Sequence, residues 1–353
     1  MSRDDTRPTE RDDTRPTERD DARPTSRDGT PPVRTDGGTG QRRSLLADPR
    51  VRGVLGTGGF FLAVQVLALA VTPRLASRGI SYGDGGGAAL LPLVAGLALG
   101  TLLALAVARW GLSPTFLRGL TVVSVGVSVW FAAAAFLGPI LGLFPAALGT
   151  VAVWRTRRWT VRNTVAAVGV AGAAGVFGAS LTPVYAAVAL AVVAVYDGYS
   201  VYYSGHMIEL ADASARLELP TAFVVPTDGA GGDGGEASET GEATETTVVV
   251  ADGEQAEPAS GGPRVAMLGT GDALFPALLA ASVQAHHATI QVVGGGPPLG
   301  LAPEAIGAAL GGIAGFLLLQ AVVHRRGGVH AGLPLINGGA VAGWLLLGGA
   351  GLV

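Results

Sequence analysis

The stretch VAMLGTGDALFPALLAASV, residues 265–283, is apolar or small at almost every position and contains one ionisable residue, Asp272. As a helix this stretch would rise about 28 Å, which is close to the thickness of the hydrocarbon core of a bilayer. Runs of this length and composition are typical of membrane spans. The stretch therefore predicts a transmembrane helix that carries a single acid.

Apolar runs of similar character occupy most of the chain on both sides of this stretch. Two of the runs are too long for one span, and we divide them at Gly138-Pro139 and at Thr182-Pro183, because proline favours a break or a turn. The sequence thus predicts an all-α polytopic membrane protein with nine transmembrane helices, six within 51–203 and three within 264–353. The predicted spans are 53–72, 88–108, 119–137, 138–154, 163–183, 184–203, 265–283, 305–323 and 332–353.

The composition excludes several classes of protein. Of the 353 residues, 14% are charged and 49% hydrophobic, whereas a soluble domain has about 25% charged residues. The absence of cysteine excludes a disulfide scaffold, a thiol nucleophile and a cysteine-ligated metal. A net charge of −3 gives no basic field for nucleic acid. We therefore expect a protein whose surroundings are lipid, with no nucleic-acid partner.

Most of the charged residues lie in two segments outside the predicted spans. Residues 3–26 are an octapeptide repeat, RDDTRPTE, RDDTRPTE and RDDARPTS, and we predict a disordered cytoplasmic tail over 1–50, because such a segment cannot bury enough apolar surface to order itself. Residues 204–263 are acidic and rich in glycine, which predicts a flexible cytoplasmic loop. Within that loop, LPTAFVVP (219–226) suggests a strand or an interfacial segment.

Arginine is distributed unevenly around the predicted spans. If the N-terminus is cytoplasmic, 14 of the arginines from residue 42 onward fall on the inner side and 2 on the outer side, which is the asymmetry expected of a multi-pass protein. We therefore predict a protein of the cell membrane with a cytoplasmic N-terminus and an extracellular C-terminus. The inner arginines are Arg42, Arg43, Arg50, Arg52, Arg109, Arg118, Arg155, Arg157, Arg158, Arg162, Arg216, Arg264, Arg325 and Arg326, and the outer ones are Arg74 and Arg78.

Two acids, Asp197 and Asp272, are the only ionisable acids or bases within the nine predicted spans. A carboxylate at the middle of a membrane helix costs about 2.5–3.5 kcal/mol, so such acids are usually functional. Asp197 lies six residues from the cytoplasmic end of its predicted span and Asp272 eight residues from the cytoplasmic end of the next. The two carboxyl groups therefore fall at similar depths on consecutive antiparallel helices, which predicts a pair.

A pair of adjacent carboxyl groups suits the hydrolysis of a peptide bond. Two carboxylates a few ångströms apart cannot both ionise, so the pair shares a proton. The ionised member takes a proton from water as general base, and the protonated member donates to the scissile carbonyl oxygen as general acid. Because the titration belongs to the pair, neither role is assigned to one aspartate. Gly269 lies three residues before Asp272, on the same helix face.

At this point the chain resembles the presenilin and signal peptide peptidase family of intramembrane aspartyl proteases, and in particular its archaeal members. Three motifs carry the resemblance over roughly 50–353. Tyr196-Asp197 resembles the YD motif of the sixth span, Gly269-Thr270-Gly271-Asp272 resembles the GxGD motif of the seventh, and Leu333-Pro334 resembles the end of the Pro-Ala-Leu-Pro motif that opens the ninth. This chain has Ala331-Gly332 where the last motif begins with Pro-Ala.

The resemblance implies a presenilin-like fold and an endopeptidase that cleaves transmembrane helices of substrate proteins, with no cofactor and no obligate subunits. It implies that Asp197 and Asp272 are catalytic and that Leu333 and Pro334 hold the substrate, through an irregular stretch around Ala331–Leu335 that offers backbone partners. The supporting residues of the first two motifs are Tyr196, Gly269 and Gly271.

Other functions stay open from the sequence. A prepilin-type peptidase also uses a membrane GxGD, and a proton-coupled transporter or ion leak would use two intramembrane acids as a relay. A chaperone or an inactive relative would retain the motifs without turnover. The adjacent His286 and His287 are typical of a solvated turn rather than a metal site, and we predict no metal.

Overall fold

The computed structural model describes residues 49–82, 87–110, 114–156, 158–204, 221–227, 248–249, 265–286, 300–326 and 330–348. The N-terminal repeats and most of the acidic loop, for which we predict disorder, lie outside these residues. Within the described residues the chain forms nine α-helices: α1 (Pro49–Ser77), α2 (Leu90–Trp110), α3 (Pro114–Leu137), α4 (Leu143–Arg155), α5 (Trp159–Ser180), α6 (Pro183–Tyr199), α7 (Thr270–His286), α8 (Pro303–Arg326) and α9 (Leu333–Gly348).

These helices correspond one to one with the nine predicted spans, and the prediction of a polytopic helical membrane protein is confirmed. Five helical segments are long and apolar enough to cross a membrane: 49–77, 118–137, 159–180, 183–203 and 303–326. A π-helical turn, Ser200–Ser204, continues α6 beyond Tyr199. Helices α4 and α9 are apolar but shorter.

Both proline divisions of the long apolar runs are confirmed. After α3 the chain turns at Gly138, whose φ of 85° lies in the left-handed region that glycine adopts readily. In this turn the Trp130 Nε1 donates to the Pro139 carbonyl at 2.8 Å, and the Gly142 N–H donates to the Gly138 carbonyl at 2.9 Å. These bonds satisfy backbone groups that lipid cannot.

The second division separates α5 from α6 at Pro183, which is the first residue of α6. Proline suits this position because the first N–H of a helix has no intrahelical partner. The end of α5 is buried, and there the Ser282 hydroxyl on α7 donates to the Leu181 carbonyl. Nearby, α5 and α7 approach closely at Gly178, where a Cβ would lie 2.5 Å from the Ala281 Cβ.

A small sheet interrupts the helical architecture beside α7. Strand β1 (Ala222–Pro226) pairs antiparallel with β3 (Val265–Gly269), and β2 (Val248–Val249) pairs parallel with the other side of β3. The pairing runs from Ala222 opposite Gly269 to Pro226 opposite Val265. The segment that the sequence left as a strand or an interfacial segment is thus a strand.

The sheet corrects one predicted boundary. The seventh span was expected to be helical from residue 265, but helix α7 begins only at Thr270 because residues Val265–Gly269 form β3. A short apolar run is equally compatible with a buried strand and with a helix. The strand forms here because β1, more than forty residues earlier in the chain, supplies its hydrogen-bond partners.

Candidate active site

Asp197 lies two residues before the end of α6 and is buried, with 8% of its surface exposed. Its Oδ2 accepts a hydrogen bond from the backbone N–H of Leu333 at 3.1 Å. The backbone N–H of Gly332 also interacts with this carboxylate. Because Leu333 is the first residue of α9, the Asp197 side chain occupies the N-terminus of that helix.

Asp272 lies two residues after the start of α7. Its carboxylate folds back over Gly269, where an added Cβ would lie 3.0 Å from the Oδ2 of Asp272. The same Oδ2 lies 4.0 Å from the position that a Cβ would take on Gly332. Glycine at 269 and at 332 therefore leaves space on two sides of the Asp272 carboxylate.

The two aspartates converge on one dipeptide, Gly332-Leu333. Asp197 is bonded to it and Asp272 lies against it, so the nearest oxygens of the two carboxylates are at most about 11 Å apart, by the lengths of the intervening covalent bonds. Asp197 lies two residues before Tyr199, the last residue of α6 before the π-helical turn, and Asp272 lies two residues after the start of α7. The expected depth of Asp272 inside its helix was wrong, because the five residues before Thr270 are in β3.

Helix N-termini provide the local positive potential at this site. Asp272 lies in the first turn of its own helix α7, and Asp197 accepts from the first turn of α9. The unpaired N–H groups at a helix start carry about half a positive charge and favour an anion. This arrangement explains how two carboxylates are placed in apolar surroundings although the predicted spans contain no arginine.

A second bond holds α9 against α6. The Nδ2 of Asn337 donates to the Leu190 carbonyl at 3.1 Å, and both groups are buried. Asn337 lies one helical turn after Leu333, so the two bonds to α6 arise from the same face of α9. They fix the start of α9, and with it Gly332, next to Asp197.

The sheet anchors α7 in front of Asp272. The backbone N–H of Thr270 donates to the Thr221 carbonyl at 3.0 Å, and its hydroxyl donates to the same oxygen at 2.9 Å. On the outer edge of β1, the buried amide of Asn163 on α5 makes two bonds to Val224, donating to its carbonyl at 2.8 Å and accepting from its N–H at 3.1 Å. Sequence reasoning missed Asn163, whose only indication is that it is a polar residue at the start of an apolar span.

The remaining motif residues differ in how far they are exposed. Tyr196 is 48% exposed. Leu333 is buried and Pro334 is exposed, and both belong to the first turn of α9. The expectation of an irregular stretch through Leu335 is therefore wrong after Gly332, because proline at the second position of a helix is compatible with helical structure. His286 is bonded to its own helix through the Ser282 carbonyl, and His287 lies outside the described residues.

An apolar groove of about 410 Å³ lies between α2, α6 and α7 and reaches the active-site motif at Gly271. Its walls include Leu93 on α2, Val188 and Val192 on α6, and Phe275 on α7. A Cβ added to Gly271 would have no neighbour within 4 Å. The groove therefore opens beside Asp272, and its walls suit an apolar occupant.

Comparisons with known proteins identify the family and similar folds. The family described as "Signal-peptide peptidase, presenilin aspartyl protease" matches residues 89–350. Two solved structures, both of a presenilin family intramembrane aspartate protease, one in a C222 and one in a P2 crystal form, have TM-scores of 0.57 and 0.55 at 22% and 23% identity. Each alignment covers 84% of this chain and 99% or 97% of the other. A comparison with curated proteins found no match.

Proposed function

The chain belongs to the signal-peptide peptidase and presenilin family of intramembrane aspartyl proteases, and we propose that Asp197 and Asp272 are the pair that activates water in this endopeptidase. The observation that carries the proposal is their convergence on Gly332-Leu333, with Asp197 bonded to Leu333 and Asp272 against Gly332. Two acids on separate helices thus lie against the same dipeptide.

The chemistry follows from a pair that shares one proton. The ionised carboxylate takes a proton from water while the water oxygen attacks the scissile carbonyl carbon, and the protonated carboxyl gives its proton to the carbonyl oxygen. The tetrahedral intermediate then loses the amine, which receives the proton held by the base, and the carboxylic acid is left. As the intermediate collapses, one of its hydroxyl groups returns a proton to the carboxylate that acted as the acid. The pair again holds one proton, so the reaction needs no cofactor.

The substrate we propose is a transmembrane helix of another protein. The groove between α2, α6 and α7 has apolar walls that a helix can cover, and it ends at Gly271 beside Asp272. A helix keeps its peptide bonds within its own hydrogen bonds, so it must unwind locally before water can attack, and the freed backbone groups then need new partners.

Strand β3 can supply those partners. On one side β1 pairs with its full length, whereas on the other side β2, within the described residues, pairs only with Val265 and Ala266. The remaining edge, Met267–Gly269, leads directly to Asp272. A substrate segment that pairs with this edge as an extra strand would place its peptide bonds next to the two aspartates.

The first prediction concerns the pair itself. Asp197→Asn and Asp272→Asn should each lower the cleavage of a single-span substrate in proteoliposomes by at least about 100-fold, because either change removes the shared proton or its acceptor. Glu304→Gln is a matched control, since Glu304 is also an acid in the first turn of a helix. It should cleave like the unmodified protein.

The proposal fails if both aspartate variants are folded and still cleave. Folding is checked by accumulation in the membrane and by elution position in detergent. A transporter would instead show pH-driven solute flux in liposomes that an inhibitor of aspartyl proteases leaves unchanged. A prepilin-type peptidase would cleave a prepilin leader in preference to a transmembrane helix.

A further inference from the structure

A second groove, of about 300 Å³, lies between α3 and α4, far along the chain from the catalytic motifs. Its floor and walls are Gly119, Val122 and Val123 on α3 with Thr150, Val151 and Trp154 on α4. Val123 is 57% exposed and Val151 50% exposed, so the groove opens on the outer face of the helices. In a membrane protein that face meets lipid chains.

Glycine shapes this groove at both ends. At Gly126 the helices touch, because a Cβ there would overlap the Thr150 hydroxyl. Two turns earlier, at Gly119, a Cβ would have no neighbour within 4 Å. The helices are therefore in contact at one level and leave open space at the next, towards the start of α3 and the end of α4.

Arginine side chains lie at the open end of the groove. Arg155 is part of its lining, and Arg118 packs its guanidinium 5.3 Å from the centre of the Trp154 ring while its Nη2 donates to the Trp154 carbonyl at 3.1 Å. A guanidinium has five N–H donors in a planar fork that matches a phosphate. Arg118 uses one of these donors for the Trp154 carbonyl, and its other N–H groups are suited to binding a phosphate.

We propose that this groove binds an anionic phospholipid, with an acyl chain against Val122, Val123 and Val151 and the phosphate at Arg118 and Arg155. The two features select an amphiphile, because the walls are apolar and the rim is positively charged. Basic pockets between transmembrane helices are the recurrent sites for anionic headgroups. A zwitterionic lipid such as phosphatidylcholine offers the phosphate together with an ammonium group that the two arginines repel, and a soluble anion would satisfy only the charges.

Trp154 provides a reporter inside the groove. The protein is placed in vesicles that contain brominated phosphatidylglycerol or brominated phosphatidylcholine at equal mole fraction, because bromine quenches tryptophan emission. The emission of Trp154 is obtained by subtracting the emission of Trp154→Phe from that of the unmodified protein. We expect an association constant about tenfold higher for phosphatidylglycerol, since each arginine near the surface contributes to anionic-lipid binding. The double variant Arg118→Gln, Arg155→Gln should reduce the ratio of the two constants to about one.

Arg325→Gln, Arg326→Gln is the matched control, because these two exposed arginines end a different helix, α8. It should keep the preference. Gly119→Leu tests the groove without changing a charge and should weaken quenching by both lipids. Equal constants in the unmodified protein, a preference retained in the Arg118 and Arg155 variant, or quenching unaffected by Gly119→Leu would each overturn the proposal. Cleavage activity reports that each variant is folded, because the groove lies apart from the two aspartates.

Discussion

A carboxylate in a membrane protein needs a favourable electrostatic environment, and here the N-terminus of a helix lies next to each acid. Asp197 binds the start of α9, and Asp272 lies in the first turn of α7. Helix ends are rigid dipoles, whereas a long basic side chain would have to be ordered and would neutralise the acid as an ion pair. The Leu333 N–H therefore holds the Asp197 carboxylate in position through a rigid backbone group.

The two glycines of the GxGD motif have different roles at this scale, and their substitution predicts different kinetics. Gly269→Ala places a Cβ 3.0 Å from the Oδ2 of Asp272, which displaces the carboxylate. The carboxylate has to move by a few tenths of an ångström, so we expect kcat to fall by up to about tenfold, less than the roughly 100-fold that a displacement of about 1 Å costs. Cleavage assays over a range of substrate densities in the bilayer separate kcat from KM.

Gly271→Ala is the paired variant, since a Cβ there meets no atom within 4 Å but enters the groove beside Asp272. It should raise KM and leave kcat near its original value. If Gly269→Ala and Gly271→Ala change the same kinetic constant by the same factor, the distinction drawn from their surroundings is wrong.

At the scale of elements, α8 and α9 are packed backbone to backbone. Gly307, Gly311 and Gly315 recur at every fourth residue of α8 and face Gly339 and Gly343 of α9, and a Cβ on any of the five would overlap a backbone oxygen of the other helix. Small residues at this spacing allow the close packing on which membrane helices depend. Because α9 carries Gly332 and Leu333 to Asp197, this contact also positions the site.

Two neighbouring glycines of α9 test this contact. Gly339→Ala forces the helices apart, because its Cβ would overlap the Gly311 carbonyl oxygen, whereas Gly338→Ala places a Cβ where no atom lies within 4 Å. We expect Gly339→Ala to cost about 1–3 kcal/mol of stability, as overpacking does, and Gly338→Ala to cost nothing. Thermal unfolding in detergent measures the difference, and equal melting temperatures would contradict it.

The sheet is the second element that positions the site, and Asn163 holds its outer edge. Asn163→Leu leaves the N–H and carbonyl of Val224 without these two bonds, at about 1–3 kcal/mol for each unsatisfied buried group. We expect a lower melting temperature and slower cleavage, because β3 leads into Asp272. Thr164→Val, at the exposed neighbouring position, is the control, and a loss of the same size in both variants would refute the role of Asn163.

At the scale of the whole molecule, the nine helices of the described residues place the start of α1 and the end of α9 on opposite sides of the membrane if each helix crosses once. We propose a cytoplasmic N-terminus, and this rests on the arginine distribution. Loops that follow an odd number of helices should then be extracellular, and loops that follow an even number should be cytoplasmic.

The absence of native cysteine makes this orientation directly measurable. A membrane-impermeant maleimide should label Ser81→Cys, after α1, in intact cells. It should label Thr156→Cys, after α4, only when the membrane is permeabilised. The opposite pattern would show that the orientation is inverted.

The sequence by itself determined the nine helices and the two proline breaks between them, and it indicated Asp197 and Asp272 as candidates, because apolar length, proline and an isolated charge are local properties that act within one segment. Only the tertiary structure decided where α7 begins, which side chain holds β1 and which dipeptide lies between the acids. Each of these depends on a hydrogen bond or a close packing between segments far apart in the chain: Asn163 and Val224, β1 and β3, Leu333 and Asp197. Such partners are selected by folding as a whole, so no single stretch of sequence specifies them.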